Sequence, residues 1–214
     1  MAFKSALRLL AIACLTILAL SAAAKAEPYR IVGFGDSLMA GLGLNPGESF
    51  PEKLEKALRN KGHDVVIANA GVSGDTSSGG LSRLDWSVPD GTQHVILELG
   101  ANDMLRGVAP EITERNLDVI ISRLKEKRVA VILAGMRAAP NLGPDYQAAF
   151  DAIFPRLAEK YGVALYPFFL DGVAADPTYL LEDRMHPNAS GIDRMVERVL
   201  PEVEKIIAAD PDNS

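Results

Sequence analysis

The sequence predicts an α/β fold in which crossover helices wrap a parallel sheet. Five short apolar runs alternate with segments of helical character, which is the pattern typical of such sheets. The runs consist largely of Val, Ile, Leu and Ala, as expected of strands that are buried on both faces. They span residues 29–34, 65–68, 95–99, 129–134 and 163–169.

Four segments between and after these strands have the pattern of amphipathic helices. Pro51 opens the first, Gly162 follows the third, and Pro201 predicts a bend or a break in the fourth. The segments span residues 51–60, 110–127, 145–161 and 189–208. The second and fourth are expected to turn these residues toward the core: Ile112, Leu117, Ile120, Ile121, Leu124, Ile192, Met195, Val196, Val199, Val203 and Ile206.

The first 26 residues have the features of a secretory signal peptide. A positive start precedes an apolar run at residues 9–20, and small residues flank Lys25 at the expected cleavage position. A permanent membrane anchor is less favoured because the run is short, and a lipoprotein signal at Cys14 is less favoured because apolar residues continue past it. This interpretation leaves a single domain at residues 27–214, located in the periplasm or outside the cell.

Composition limits the partners of this domain. Removal of the first 26 residues takes away Lys4, Arg8 and Lys25 and no acid, so 19 basic and 28 acidic residues remain, with a formal charge of −9. Nucleic acid is therefore not an expected partner. The one cysteine, Cys14, also leaves, which excludes a disulfide and a cysteine nucleophile. The three histidines are dispersed in the sequence, and we expect no metal site and no cofactor.

A serine follows the first predicted strand, where open α/β sheets bind their ligands. Residues 31–38 read Ile-Val-Gly-Phe-Gly-Asp-Ser-Leu, and a strand that ends at Gly35 places Ser37 at its carboxyl end. A serine hydroxyl attacks at neutral pH only when a neighbouring base takes its proton. His63 lies in a polar turn and His94 at the start of an apolar run, so we expect surface or strand-edge roles for both.

The third histidine, His186, has the context of a general base. Asp183 precedes it by three residues, and Pro187 disfavours a helical conformation at this point. An aspartate held against one imidazole nitrogen fixes the tautomer and leaves the other nitrogen free to serve Ser37. The sequence therefore predicts a nucleophile, a base and an orienting acid.

Two residues in the loops after the second and third strands are candidates for binding an oxyanion. Ester cleavage develops a negative oxygen that preorganised donors must meet, and the Gly74 N–H and the Asn102 amide are suitable donors. Each also has a structural alternative, since Gly74 suits a tight turn and Asn102 can cap the following helix.

Four blocks together resemble the SGNH, or GDSL, hydrolase family, which is named for its Ser, Gly, Asn and His. The blocks are residues 35–38, Gly74, residues 100–103 and residues 183–186, and they extend across essentially all of the chain after residue 26. The resemblance implies a three-layer α/β/α sandwich with five parallel strands in flavodoxin-like order. It also implies a Ser37, His186 and Asp183 triad. The implied oxyanion hole consists of the Ser37 N–H, the Gly74 N–H and the Asn102 side chain, with Asp36 as a structural hydrogen-bonding residue.

Within the family, residues 73–77, 97–107 and 166–169 resemble a group of thioesterases, lysophospholipases and arylesterases. That group has glycine where this chain has Ala101 and Arg184. We expect the Ala101 methyl group to narrow the site beside the neighbouring amide. Arg184, a charged side chain at the rim of the cleft, is expected to favour an acidic or polar substrate end.

The expected activity is hydrolysis of aryl esters and short to medium acyl esters, and of thioesters or lysophospholipids, through an acyl-enzyme. A carbohydrate deacetylase with the same triad and a non-catalytic binding module remain alternatives. The expected partner is a small-molecule or lipid ester, and no oligomeric state is predicted. Candidate substrate contacts are Met39, Leu42, Leu142, Tyr146 and Arg184, whereas Phe168 and Phe169 are assigned mostly to the core and Arg106 and Arg137 to the surface.

Overall fold

A computed structural model describes residues 27–209 and has a five-stranded parallel sheet at its centre. The spatial order of the strands is β2-β1-β3-β4-β5, which confirms the predicted α/β class and the flavodoxin-like order. The predicted signal peptide lies outside the described residues. The strands are β1 (Tyr29–Gly35), β2 (Val65–Gly71), β3 (His94–Glu98), β4 (Ala130–Ala134) and β5 (Ala164–Tyr166).

Helices cover both faces of the sheet. They are α1 (Ser37–Ala40), α2 (Phe50–Asn60), α3 (Ser77–Ser87), α4 (Ala101–Leu105), α5 (Pro110–Glu126), α6 (Pro144–Asp151), α7 (Ile153–Tyr161) and α8 (Ala189–Ala209), with 3₁₀ turns at Pro140–Leu142 and Pro177–Tyr179. Helix α2 packs against α8, whereas α5 packs against α3 and α7. Strand β2 lies on one side of β1, and β3, β4 and β5 follow on the other side. Since crossovers between parallel strands are right-handed, the α2–α8 pair and the group of α3, α5 and α7 lie on opposite faces of the sheet. No helix within residues 27–209 is long and apolar enough to cross a membrane.

Three helical predictions need correction. The segment predicted as one helix at 145–161 forms α6 and α7, which are separated at Ala152. Helix α8 continues through Pro201, so the predicted break is absent. Helix α3 was not predicted, because its two glycines disfavour a helix. One of them, Gly80, is required by packing, since a Cβ at this position would lie 2.4 Å from Leu99 Cδ1.

The core contains most of the residues expected in it, with two exceptions. Ile112 is 41% exposed, whereas the next residue, Thr113, is fully buried, and its hydroxyl donates a hydrogen bond to Asp103 Oδ1 at 3.2 Å. In α8, Ile207 rather than Ile206 is fully buried, since it lies four residues after the buried Val203. Both differences are shifts of one residue around a helix.

The fifth strand is shorter than predicted. It ends at Tyr166 rather than at residue 169, and the next residue is Pro167, which has no N–H to donate to the neighbouring strand. The chain turns there, and Phe169 is buried in the core as predicted. The following residues therefore belong to the loops at the carboxyl ends of the strands, where the candidate site lies.

Candidate active site

Ser37 and His186 are in hydrogen-bond contact although 149 residues separate them in the chain. The distance between Ser37 Oγ and His186 Nε2 is 2.8 Å, and that between His186 Nδ1 and Asp183 Oδ2 is 2.6 Å. With the proton on Nδ1 held by the carboxylate, Nε2 is free to accept the serine proton. The structure thus brings together the three side chains of the predicted triad in the order that proton transfer requires.

The spacing of Asp183 and His186 is explained by the local turn. Asp183 Oδ1 accepts hydrogen bonds from the backbone N–H groups of Met185 at 2.9 Å and His186 at 3.0 Å, which closes the turn on itself. Hydrogen bonds from the His186 N–H, the Met185 N–H and the His186 side chain lower the pKa of Asp183 to about 2. The carboxylate is therefore ionised at neutral pH and available to the imidazole.

Arg184 lies within this turn in a left-handed conformation. Its φ of 57° is one that side-chain-bearing residues rarely adopt. Glycine would occupy the position without strain, whereas a non-glycine residue costs about 1 kcal/mol there. Its side chain is exposed and lines the cleft described below.

Ser37 lies at the start of α1, immediately after β1 ends. Asp36 caps this helix by accepting a hydrogen bond from the Leu38 N–H at 2.9 Å, and Gly41 ends it in a left-handed conformation. Helix α1 passes so close to β2 that a Cβ on Gly71 would lie 2.2 Å from the Ala40 nitrogen. The Ser37 N–H has no acceptor among residues 27–209, as expected for the first residue of a helix.

Gly74 and Asn102 lie in the same cleft as Ser37 and His186. Gly74 has a φ of 83°, so the tight turn that was the structural alternative also exists, and its N–H has no acceptor within the described chain. The Asn102 Nδ2 group donates to Asp36 Oδ2 at 2.9 Å, which uses one of its two hydrogens. Asp36 is thus a hydrogen-bonding residue of the site, consistent with the role expected from the resemblance.

A buried network that was not predicted fixes the loop of Asn102. Asp103 is 1% exposed and accepts bonds from the Ser77 N–H at 2.7 Å, the Ser77 hydroxyl at 2.5 Å and the Thr113 hydroxyl. These bonds join α4 to α3 and α5. The block at residues 100–103 contains Asp103, but its partners lie in segments that the sequence does not bring together.

Arg83 is a second residue that sequence reasoning missed. Its guanidinium donates to Asp75 at 2.5 Å and to the carbonyl oxygens of Ala70 and Gly35, both at 2.8 Å. It also lies over the Phe34 ring, 4.2 Å from the centroid. Arg83 therefore ties the ends of β1 and β2 to the loop that carries Gly74. An arginine in an unpredicted helix gave no signal of this role.

The candidate site opens into a cleft with a volume of about 550 Å³ and mostly apolar walls. Leu42 and Arg184 line it, as predicted. Phe168 and Arg137 line it too, although the sequence suggested core and surface positions for them; Arg137 lies over the Phe168 ring at 4.9 Å from the centroid. Its remaining lining residues include Leu38, Ala101, Met104, Leu105, Met136, Ala139, Leu170, Ala174, Ala175, Leu180 and Met185.

Three predicted substrate contacts do not line this cleft. Met39 is 0% exposed and packs against Gly33 and Gly35 of β1, because two residues after Ser37 the short helix turns toward the sheet. Tyr146 donates its hydroxyl to the Val108 carbonyl oxygen at 2.8 Å and packs parallel to Phe150. Leu142 packs on the edge of the core. We therefore remove Met39, Leu142 and Tyr146 from the expected substrate contacts.

Several known proteins are similar to this chain in sequence and in fold. Residues 34–194 match the GDSL-like Lipase/Acylhydrolase family. An arylesterase of Vibrio mimicus is 40% identical over 190 residues, 87% of this chain and 93% of that protein. Thioesterase 1/protease 1/lysophospholipase L1 of Escherichia coli K12 is 38% identical over 170 residues, 78% of each chain. The crystal structure of AlinE4, an SGNH-hydrolase family esterase, has 47% identity and a TM-score of 0.72, and the match covers 86% of this chain and 98% of that one.

Proposed function

The chain belongs to the GDSL-like lipase/acylhydrolase family, and we propose that it hydrolyses aryl esters and short to medium acyl esters through an acyl-enzyme on Ser37. The observation that carries the proposal is the continuous contact from Ser37 Oγ through His186 to Asp183, at 2.8 and 2.6 Å. These three side chains meet the geometric requirement for an activated serine.

In the first half of the proposed reaction, Ser37 Oγ attacks the ester carbonyl carbon while His186 Nε2 takes the hydroxyl proton. The imidazolium that forms is stabilised by the ionised Asp183. His186 then gives its proton to the leaving alcohol or thiol as the carbon–oxygen or carbon–sulfur bond breaks. In the second half, His186 Nε2 takes a proton from water as the water oxygen attacks the acyl carbon. The bond between that carbon and Ser37 Oγ then breaks, His186 returns the proton to Ser37 Oγ, and the acid leaves. The same steps serve an ester and a thioester.

The proposed oxyanion hole consists of the Ser37 N–H, the Gly74 N–H and the second Asn102 amide hydrogen. Two observations support it. Neither N–H group has an acceptor within residues 27–209, and the amide is already oriented by its bond to Asp36. Donors that are fixed before the reaction stabilise developing charge without reorganisation.

The proposed substrates have an apolar part and a polar or anionic end. Leu42, Leu105 and Met185 are exposed apolar residues at the mouth of the cleft, which suits an acyl or aryl group. Arg137 and Arg184 line the same cleft, are exposed, and form no ion pair with a described acidic residue. The negative or polar end of such a substrate would bind to these two guanidinium groups.

We also infer that the protein acts outside the cytoplasm, in the periplasm or after secretion. The inference rests on the sequence of the first 26 residues, which has the features of a secretory signal peptide. Edman sequencing of the exported protein tests it: a new terminus at Glu27 is expected, and a retained Met1 would contradict it.

The proposed activity is tested with a p-nitrophenyl ester series from acetate to palmitate, using residues 27–214 and the Ser37→Ala variant. We expect hydrolysis that is lost with the serine and is fastest for short to medium chains. Release of acetate from acetylated xylan, without cleavage of the aryl esters, would favour the deacetylase alternative. An inactive wild type, or equal activity of both proteins, would contradict the proposal.

A further inference from the structure

Glu98 is a buried acidic residue that the hydrolytic steps do not use. It is the last residue of β3, the middle strand of the sheet, and is 0% exposed. Its Oε2 accepts a hydrogen bond from the Asp36 N–H at 3.2 Å, whereas Oε1 has no hydrogen-bond partner among the described residues. An ionised carboxylate in this position would be costly, since burying a charge requires compensating partners.

The glycine at the end of β1 makes the space for this carboxyl group. Gly35 and Glu98 are register partners in the β1–β3 pair. A Cβ on Gly35 would lie 2.5 Å from Glu98 Oε2 and 2.6 Å from the Glu98 carbonyl oxygen. The volume that a side chain at residue 35 would occupy is therefore filled by the Glu98 carboxyl, next to the turn that presents Ser37.

Asp36 connects Glu98 to the candidate oxyanion hole. Its Oδ1 accepts a bond from the Leu38 N–H and its Oδ2 one from the Asn102 amide, both at 2.9 Å. Because both oxygens accept N–H bonds, Asp36 is arranged to carry the negative charge. Burial raises the pKa of Asp36, and these hydrogen bonds oppose the rise. Burial and the charge of Asp36 together raise the pKa of Glu98 well above its usual value.

We propose that Glu98 is a positioning residue that keeps its proton at neutral pH, and that it thereby holds Asp36, and through Asp36 the Asn102 amide, in place for the oxyanion. The proposal rests on the esterase function, because it assigns Asn102 to the oxyanion hole. With Glu98 neutral, the pair carries a single negative charge, which lies on Asp36. Two carboxylates in the same space would repel each other and turn Asp36 away from the amide.

Two other charged groups lie around this pair. Arg83, from α3, donates to the Gly35 carbonyl oxygen at 2.8 Å, and His186, from the loop before α8, lowers the pKa of Asp36 through its charge. Both groups are present in the wild type and in every Glu98 variant. A comparison of a variant with the wild type therefore changes only the side chain of residue 98.

The kinetic experiment compares Glu98→Met with Glu98→Gln. Methionine has a similar volume but no hydrogen-bonding carboxyl, whereas glutamine keeps an acceptor and a donor and cannot ionise. We expect Glu98→Met to lower kcat per titrated active site by about 10- to 100-fold, with KM changed by less than about twofold. Glutamine should restore kcat to within about threefold of wild type. A Glu98→Met variant with unchanged kcat per active site and lower stability would overturn the proposal.

The second experiment follows the proton without using activity. A native state that binds the Glu98 proton more tightly than the unfolded chain loses stability as the pH rises above the usual carboxyl pKa of 4.5. The unfolding equilibrium constant of the wild type, relative to Glu98→Gln, should therefore rise by about tenfold per pH unit until the native pKa is reached. Urea unfolding between about pH 5 and about pH 8 measures this ratio.

The matched control is Glu159→Gln, which makes the same substitution at an exposed glutamate on α7. The pH dependence of the stability ratio should be larger for Glu98→Gln than for this control. A pH-independent ratio for Glu98→Gln would overturn the proposal, since Glu98 would then be ionised in the native protein. If the wild type has no esterase activity but the ratio changes as expected, the esterase function alone fails and the protonation of Glu98 in the native protein is supported.

Discussion

Replacement of Asn102 by alanine tests two roles of its amide, a catalytic role that kcat measures and a structural role that the free energy of unfolding measures. The variant loses a proposed oxyanion donor, which is worth about 10²- to 10³-fold in kcat. It also loses the 2.9 Å bond to the buried Asp36, and a hydrogen bond to a charged group contributes about 1.5–3 kcal/mol. We therefore expect kcat to fall by about 10²- to 10³-fold, KM to change little, and the free energy of unfolding to fall by about 1.5–3 kcal/mol.

The assay is steady-state hydrolysis of p-nitrophenyl butyrate, with urea unfolding of the same samples. Asn45→Ala is the matched control, because the Asn45 amide also donates to a carboxylate, Glu48, at 3.0 Å, but lies in an exposed loop and does not line the cleft. Its kcat should equal that of the wild type. An Asn102→Ala variant that loses stability but keeps kcat would refute the oxyanion role and leave the amide with a structural one.

Three further predictions concern the turns of the site. Asp183→Asn should lower the free energy of unfolding by about 1 kcal/mol at neutral pH, an amount reduced by solvent screening because the Asp183 side chain is 39% exposed. The pKa of Asp183 is lowered in the native state, so the stability that its carboxylate contributes is present above pH 3.8 and lost as the pH falls toward 2. If Asp183→Asn lowered the free energy of unfolding by the same amount at pH 7 and at pH 2, the assignment would be contradicted. Arg184→Gly should keep or raise the free energy of unfolding, since glycine tolerates the left-handed turn. The same variant should lose more kcat/KM for esters with an anionic end than for neutral esters. An unchanged ranking of the two ester classes would contradict the proposed role of Arg184. Gly35→Ala should give little folded protein by circular dichroism, because its Cβ would lie 2.6 Å from the Glu98 carbonyl oxygen; a wild-type melting temperature would contradict this account of the glycine.

The fold and the three contacting side chains could be predicted because their signals are local. A buried parallel strand shows as an apolar run, and Gly35, Ser37 and His186 each lie in a short segment whose conformation its own residues determine. The Asp183 carboxylate caps its own turn, so a spacing of three residues was sufficient to associate it with His186.

Side-chain direction was harder to predict than position in the chain. Met39 lies two residues after Ser37, yet the first turn of α1 directs it into the core, whereas Leu42 reaches the cleft. Phe168 lines the cleft because β5 ends before Pro167. Which way a residue in a loop or a short helix faces depends on packing partners that are distant in the sequence.

Glu98 illustrates a second limit. In the sequence it is one charge within the apolar run at residues 95–99, and the run does not show what its carboxyl group contacts. Its burial follows from the absence of a side chain at Gly35, 63 positions earlier, and from the path of β1 beside β3. The sequence contains both residues, but only the register places them together.

The central claim, that Ser37 is a nucleophile activated by His186, is tested most directly by covalent trapping. Residues 27–214 are treated with a fluorophosphonate, and intact mass spectrometry with peptide mapping follows the adduct in the wild type, Ser37→Ala and His186→Ala. We expect one adduct per chain on Ser37, none in Ser37→Ala, and labelling at least about 100-fold slower in His186→Ala. An adduct on another residue, or equally fast labelling without the histidine, would contradict the account.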